Sequence, residues 1–216
     1  MLLMALFHFC YDLKRFHVFE ADFNESLFWI AFRGLVMGSF MLLVGISFWL
    51  AQPRYADRRY WIRFARVAGC AALTSIATYF AVPKYWIFFG VLHLVAAATL
   101  LAPLLIRIPI LLLPISILFM ALAEFYTAPW FHQPGWNILG LSPWLPKTED
   151  FAAVFPWLGV IFFGVFVGWT TAKWPTRVTA LEIPGLSRLG RHALIFYMTH
   201  QLVLFPLAWL ISKLWG

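Results

Sequence analysis

The chain has 216 residues, 63% hydrophobic and 12% charged, with a formal net charge of +7 and a mean hydropathy of +0.83. Soluble domains average about 45–50% apolar and about 25% charged residues, and a water-soluble fold of this length cannot cover so much apolar surface. The basic residues sit in short stretches between apolar runs and form no continuous basic face, which argues against nucleic acid as a partner and assigns the charge to orientation in a bilayer.

A spanning helix needs about 20 apolar residues at about 1.5 Å each. The sequence therefore predicts an all-α, polytopic transmembrane helix bundle of about seven helices in a single domain, 1–216. The segments fall near 1–13, 27–51, 64–82, 85–105, 108–124, 152–170 and 192–215. The first is too short to span and reads as a helix whose start is missing. The opening stretch lacks the positive n-region and small-residue cleavage site of a signal peptide. Cys10 and Cys70 lie in separate apolar runs, and neither a disulfide framework nor a metal site is expected.

Ionisable residues inside apolar runs are the informative ones, since Arg or Asp at a helix centre costs about 2.5–3.5 kcal/mol on insertion scales. In the first segment His8 and Asp12 are four apart and share a face. A carboxylate beside an imidazole fixes its tautomer and stabilises its charged form, which a general base requires; the same spacing also serves a purely structural contact. Arg33, about two turns into the second segment, is placed to pair with Asp12 or to snorkel. His93 lies in the fourth segment, either lining a cavity or bonding a neighbouring helix. In the last segment Tyr197, His200 and Gln201 share a polar stripe that faces the bundle or a wet cavity rather than lipid. Glu124, His17, His132 and His192 read as surface residues. The Pro-, Gly- and Trp-rich stretch 125–151 reads as a compact cap or a plain connector.

Charge gives the orientation. Arg54, Arg58, Arg59, Arg63, Arg66, Arg107, Lys173, Arg177, Arg188 and Arg191 fall on one side, and Lys14, Arg15, Lys84 and Lys147 on the other. Ten against four, alternating strictly, places loops 52–63, 106–107 and 171–191 in the cytoplasm and the C-terminus outside. Trp29, Trp49, Trp61, Trp86, Trp174 and Trp215 lie near segment ends, where amphipathic rings favour the headgroup level. Arg54, Arg58, Arg59 and Arg191 serve topology and anionic lipid, or clamp the phosphates of a nucleotide-tailed donor.

Four stretches, LFHFCYDL (6–13), FRGLVMGSFMLLVGISFWLA (32–51), FFGVLHLVAAATLLA (88–102) and LGRHALIFYMTHQLVL (189–204), in this order and spacing resemble bacterial members of the heparan-α-glucosaminide N-acetyltransferase-like family, within the transmembrane acyltransferase group. Family members usually carry a Leu-Arg-Gly stretch before the first His motif, which this chain lacks, and a serine where Ala193 stands. The resemblance implies transfer of an acetyl or other acyl group from cytosolic acyl-CoA, with no metal, to a sugar or lipid acceptor on the opposite face of a bacterial inner membrane. It implies that His8 is the transfer histidine, as base or transient acyl carrier, with His17 as the rival by position; that Asp12 orients it; and that His93, Tyr197, His200 and Gln201 line the cavity. A homodimer is compatible with it. Two other function classes stay open on the residues themselves: a non-catalytic transporter or assembly subunit whose polar residues only join helices, and an enzyme acting on an isoprenoid or phospholipid.

Overall fold

A computed structural model describes residues 1–144, 146, 148, 150–172 and 184–215. It is all-α, as the hydropathy pattern requires. The helices are α1 (Leu2–Arg15), α2 (Leu27–Ala51), α3 (Arg58–Ala81), α4 (Val91–Leu105), α5 (Leu112–Phe125), α6 (Val154–Thr171), α7 (Pro184–Arg191) and α8 (Ala193–Trp215). Among the described residues the only strand-like pairing is an isolated bridge between Gly90 and Phe151. Among the described residues four helices are long and apolar enough to cross a membrane, α2, α3, α6 and α8, and α4 and α5 are shorter apolar helices. With large hydrophobic side chains exposed along them, these helices make the chain an integral membrane protein.

Two helix starts and one extra helix differ most from the hydropathy reading. Helix α3 starts at Arg58 rather than near 64, because Arg is a good helix former and its long stem lets a charged head sit beyond the apolar run. Arg58, Arg59 and Arg63 are therefore helical. Helix α4 starts at Val91, six residues later than expected, after the short 3₁₀ turn Pro83–Tyr85 and an extended Gly90 at the N-cap. Helix α7 is additional; it is too short and too polar for a hydropathy window to report. Lys147, Lys173, Trp174 and Arg177, which entered the orientation, lie outside the described residues.

The chain divides into two compact units. The first comprises Met1–Phe40 and the described part of Pro175–Gly216. In it α1 packs along α8, and the loop between α1 and α2 folds over an aromatic cluster. Phe23 is buried there, stacked on Trp29 at 4.2 Å and edge-on to Phe7 at 5.6 Å and Tyr11 at 5.3 Å. Just before it, Asp22 Oδ1 accepts the backbone N–H groups of Asn24 and Glu25, a local turn that supplies partners for donors preceding α2. Those two donors hold the Asp22 carboxyl below the usual carboxylate range.

The second unit is Met41–Trp174. Its core is the α5–α6 pair with α4 against α6 and α3 against α4. Leu94, Ala98, Ala102, Leu112, Ile161 and Val165 are fully or nearly fully enclosed. The C-terminal half of α2 crosses α6 at glycines. A Cβ on Gly45 would collide with the Ile161 carbonyl and lie 2.8 Å from Gly164 Cα, and one on Gly164 would collide with the Leu42 carbonyl. Small residues that let two backbones touch are the usual basis of helix association where lipid supplies no hydrophobic driving force.

The described part of 125–151 folds on itself, in keeping with a compact cap. Two 3₁₀ turns, Pro129–His132 and Asn137–Leu139, bring Trp130 against Trp136 at 4.6 Å, the rings tilted by 44°. The Ala128 N–H meets the Leu141 carbonyl at 3.0 Å. Gly140 turns the chain with φ +79, where a Cβ would also run into Ala153; only glycine meets both demands.

Candidate functional site

In the first unit α1 and α8 lie side by side, and the resemblance-derived residues on them face one another. The imidazole rings of His8 and His200 are 5.1 Å apart between centroids, tilted by 55°. Phe7 stands edge-on to His8 at 6.0 Å, and Phe196 lies nearly parallel to His200 at 6.2 Å. Tyr197 turns its ring to Phe40, stacked at 6.4 Å. Its backbone carbonyl, one turn before His200, receives the histidine's Nδ1 at 2.7 Å.

That last contact fixes a tautomer. A carbonyl oxygen can only accept, so Nδ1 carries the proton and neutral His200 presents the lone pair of Nε2. Nε2 is buried and has no hydrogen-bond partner among the described residues. The same holds for Gln201 Oε1 on the next residue of α8. Buried acceptors without partners are uncommon in folded proteins, and each one asks for a bound group or water. Here two of them sit on consecutive residues beside a second imidazole.

Asp12 is buried, with 3% of its surface exposed, on the same face of α1 as His8. Asp12 has a bonding or electrostatic partner of its own, and spacing of four puts it on the face of α1 that carries His8. Arg33 is exposed on α2. The partner that His8 has is His200, a residue 192 positions away that no local spacing rule would have named.

His93 belongs to the second unit, where both its ring nitrogens are engaged. The Gly90 N–H donates to Nδ1 at 3.1 Å, so the ring proton of the neutral form lies on Nε2, 3.1 Å from Ser75 Oγ. Ser75 in turn donates to the Ile87 carbonyl at 2.5 Å, and Thr78 Oγ1 accepts the Ile87 N–H at 3.0 Å. His93 thereby caps α4 and ties the 82–90 segment to α3. Of the two readings that the sequence left open for it, the geometry matches the helix-joining one.

Arg54 is exposed in the 3₁₀ turn after α2, Arg58 and Arg59 are exposed in the first turn of α3, and Arg191 is exposed at the end of α7. Just past Arg54, burial raises the Tyr55 phenol above its ordinary range, and its hydroxyl donates to the Phe48 carbonyl at 2.5 Å. Among the described residues no group of three or more His, Cys, Asp or Glu side chains could hold a metal.

The profile of the family described as "Heparan-alpha-glucosaminide N-acetyltransferase, catalytic" matches residues 1–202. The chain belongs to that family. Searches of curated proteins and of solved structures give no significant match. The family assignment makes the chain a member of a membrane N-acetyltransferase family, whose members in general take acetyl-CoA as donor. The matched region contains every residue of the α1–α8 cluster.

Sequence reasoning missed two groups. One is the Tyr197 carbonyl, whose signal was the spacing of three between it and His200 on one helix face. The other is the pair Tyr60 and Thr99 in the second unit, where the Tyr60 hydroxyl donates to the Thr99 carbonyl at 2.8 Å. The signal was Pro103: a proline four residues after Thr99 removes the N–H that would have bonded that carbonyl.

Proposed function

We propose that this chain transfers an acetyl or other short acyl group from acyl-CoA to an amine or hydroxyl of a sugar or lipid acceptor, and that the His8–His200 pair is where the transfer takes place. The observation that carries this reading is the His200 tautomer: Nδ1–H held by the Tyr197 carbonyl, Nε2 bare, buried and beside His8. Acyl transfer from a thioester forms a C–N or C–O bond to the acceptor and breaks the C–S bond to the thiol. The attacking amine or hydroxyl loses one proton and the leaving sulfur takes one. A lone pair on Nε2 of His200 accepts the first, and the paired imidazole of His8 holds the second or carries the acyl group transiently. Gln201 Oε1 orients an acceptor N–H or O–H. Asp12 acts from the same face of α1.

In this reading the arginine-rich ends of the helices face the cytoplasm of a bacterial inner membrane, following the charge asymmetry. The C-terminus is periplasmic. Arg191, exposed at the end of α7 in the same unit as the pair, attracts the donor's phosphates by charge.

Radiolabelled acetyl-CoA, incubated with the purified full-length protein and glucosamine-terminated glycans or lipids, tests the proposal. Label is expected in the acceptor, and His200→Ala and His8→Ala should each lower it by about 10²-fold or more. Undiminished transfer in both variants overturns the assignment of the pair. A protein whose histidine variants change only detergent stability is the non-catalytic helix-joining alternative.

A further inference from the structure

In the second unit, where the ends of α2 and α4 meet the start of α3, lies a cleft of about 80 Å³. Its walls are apolar: Val44 and Phe48 from α2, Phe64 and Val67 from α3, Val95 from α4. Three hydroxyl residues also line it, and none has a donor left to offer. Ser47 Oγ donates to the Val44 carbonyl at 2.7 Å, Thr99 Oγ1 to the Val95 carbonyl at 2.6 Å, and Tyr60 to the Thr99 carbonyl at 2.8 Å. A cavity with satisfied polar groups behaves as an apolar one.

One polar group at the cleft is charged. Arg63 lines it and is exposed. It is also the middle of a row. Arg59 is four residues before it and Arg66 three after, so three exposed guanidinium groups share one face of α3. Like charges at these spacings destabilise a helix, and Asp57 is the one acid in the 52–66 stretch. An anion at this face relieves the repulsion, and guanidinium groups pair with phosphate oxygens.

The volume separates ligand classes. Small-molecule sites run about 300–1,000 Å³, and this cleft is well below that range. It does admit a few methylene groups. We infer that this cleft is a site for an anionic membrane phospholipid, one acyl chain entering between α2, α3 and α4 while the headgroup phosphate rests on Arg63 and its row. The site stands apart from the acyl-transfer reading and does not depend on it.

Native mass spectrometry of the full-length protein tests this, after exchange into detergent containing equal amounts of phosphatidylglycerol and phosphatidylcholine with matched chains. Phosphatidylglycerol adducts should exceed phosphatidylcholine adducts by about fivefold for each basic residue engaged. Arg63→Gln, a surface change that leaves the fold intact, should lower that preference by about fivefold. Val67→Phe, which fills the cleft, should lower retention of both lipids. Excess inorganic phosphate should weaken the preference and leave a residual adduct, because it competes for the head and not the tail. Equal retention of the two lipids, or a preference that survives Arg63→Gln, overturns the proposal. So does a Val67→Phe protein that melts like the wild type and binds lipid as well.

Discussion

His8 on α1 and His200 on α8 face one another at 5.1 Å between ring centroids, and only His200 has its tautomer fixed, by the Tyr197 carbonyl. The pair is therefore asymmetric: one imidazole is locked as an acceptor at Nε2, and the other meets it ring to ring. Replacing His200 by Gln keeps a polar group of similar size and removes the lone-pair nitrogen. The expected result is a loss of about 10²–10⁴ in kcat with little change in thermal midpoint. Steady-state kinetics beside a melting curve check it, and a large fall in stability at unchanged kcat per folded molecule would show a structural histidine instead.

His93 is expected to behave in the opposite way. It caps α4 through the Gly90 N–H and reaches Ser75 on α3. His93→Ala removes both bonds and leaves a part-buried N–H and a hydroxyl to find other partners, at about 1–3 kcal/mol for each group left unsatisfied. The unfolding midpoint in a denaturing detergent titration should drop, while acyl transfer per folded molecule stays within about threefold of wild type, a shift that corresponds to under 1 kcal/mol. A selective loss of transfer in a stable His93→Ala protein would return this residue to the site.

The contrast between these two histidines shows how far the sequence can be read. Among the described residues, apolar run length found the four helices long and apolar enough to span, because bilayer thickness sets a length that composition reports directly. Periodicity placed Tyr197, His200 and Gln201 on one face for the same geometric reason. What it could not supply was reach. Which side chain a shared face meets is decided by rotamers and neighbouring helices. The His8–His200 pairing joins residues 192 positions apart, which no local rule encodes. The start of α3 was missed because hydropathy sees arginine only as charge, whereas the helix also uses its stem.

The α2–α6 crossing gives a third prediction. Gly45 and Gly164 bring two backbones into contact, with a Cβ on Gly45 lying 2.8 Å from Gly164 Cα. In either position the obstruction is backbone, which cannot rotate aside. Gly164→Leu should force the helices apart and destabilise the second unit by about 1–3 kcal/mol or more, as overpacked cores do. The open, solvent- or lipid-facing Gly69 on α3, with nothing within 4 Å of a Cβ, should accept Ala with no loss, and helix propensity favours the change by about 1 kcal/mol. Melting temperatures of the two variants decide the matter; equal tolerance would mean that the crossing is not tight.

The Tyr60–Thr99 bond offers the sharpest test of the second unit, because its cause lies one turn away. Pro103 has no N–H, so the Thr99 carbonyl inside α4 lacks its helical partner. Tyr60 from α3 supplies the missing donor at 2.8 Å. Tyr60→Phe should leave that buried carbonyl unsatisfied and cost about 1–3 kcal/mol. Pro103→Ala restores an N–H at the position that bonds Thr99, provided α4 can straighten. In that background the hydroxyl is no longer needed, and Tyr60→Phe should cost well under half as much. The double-mutant cycle isolates the coupling, since the single changes touch the same carbonyl from two directions. Additive effects of the two substitutions would mean that the tyrosine hydroxyl does not stand in for the absent backbone donor.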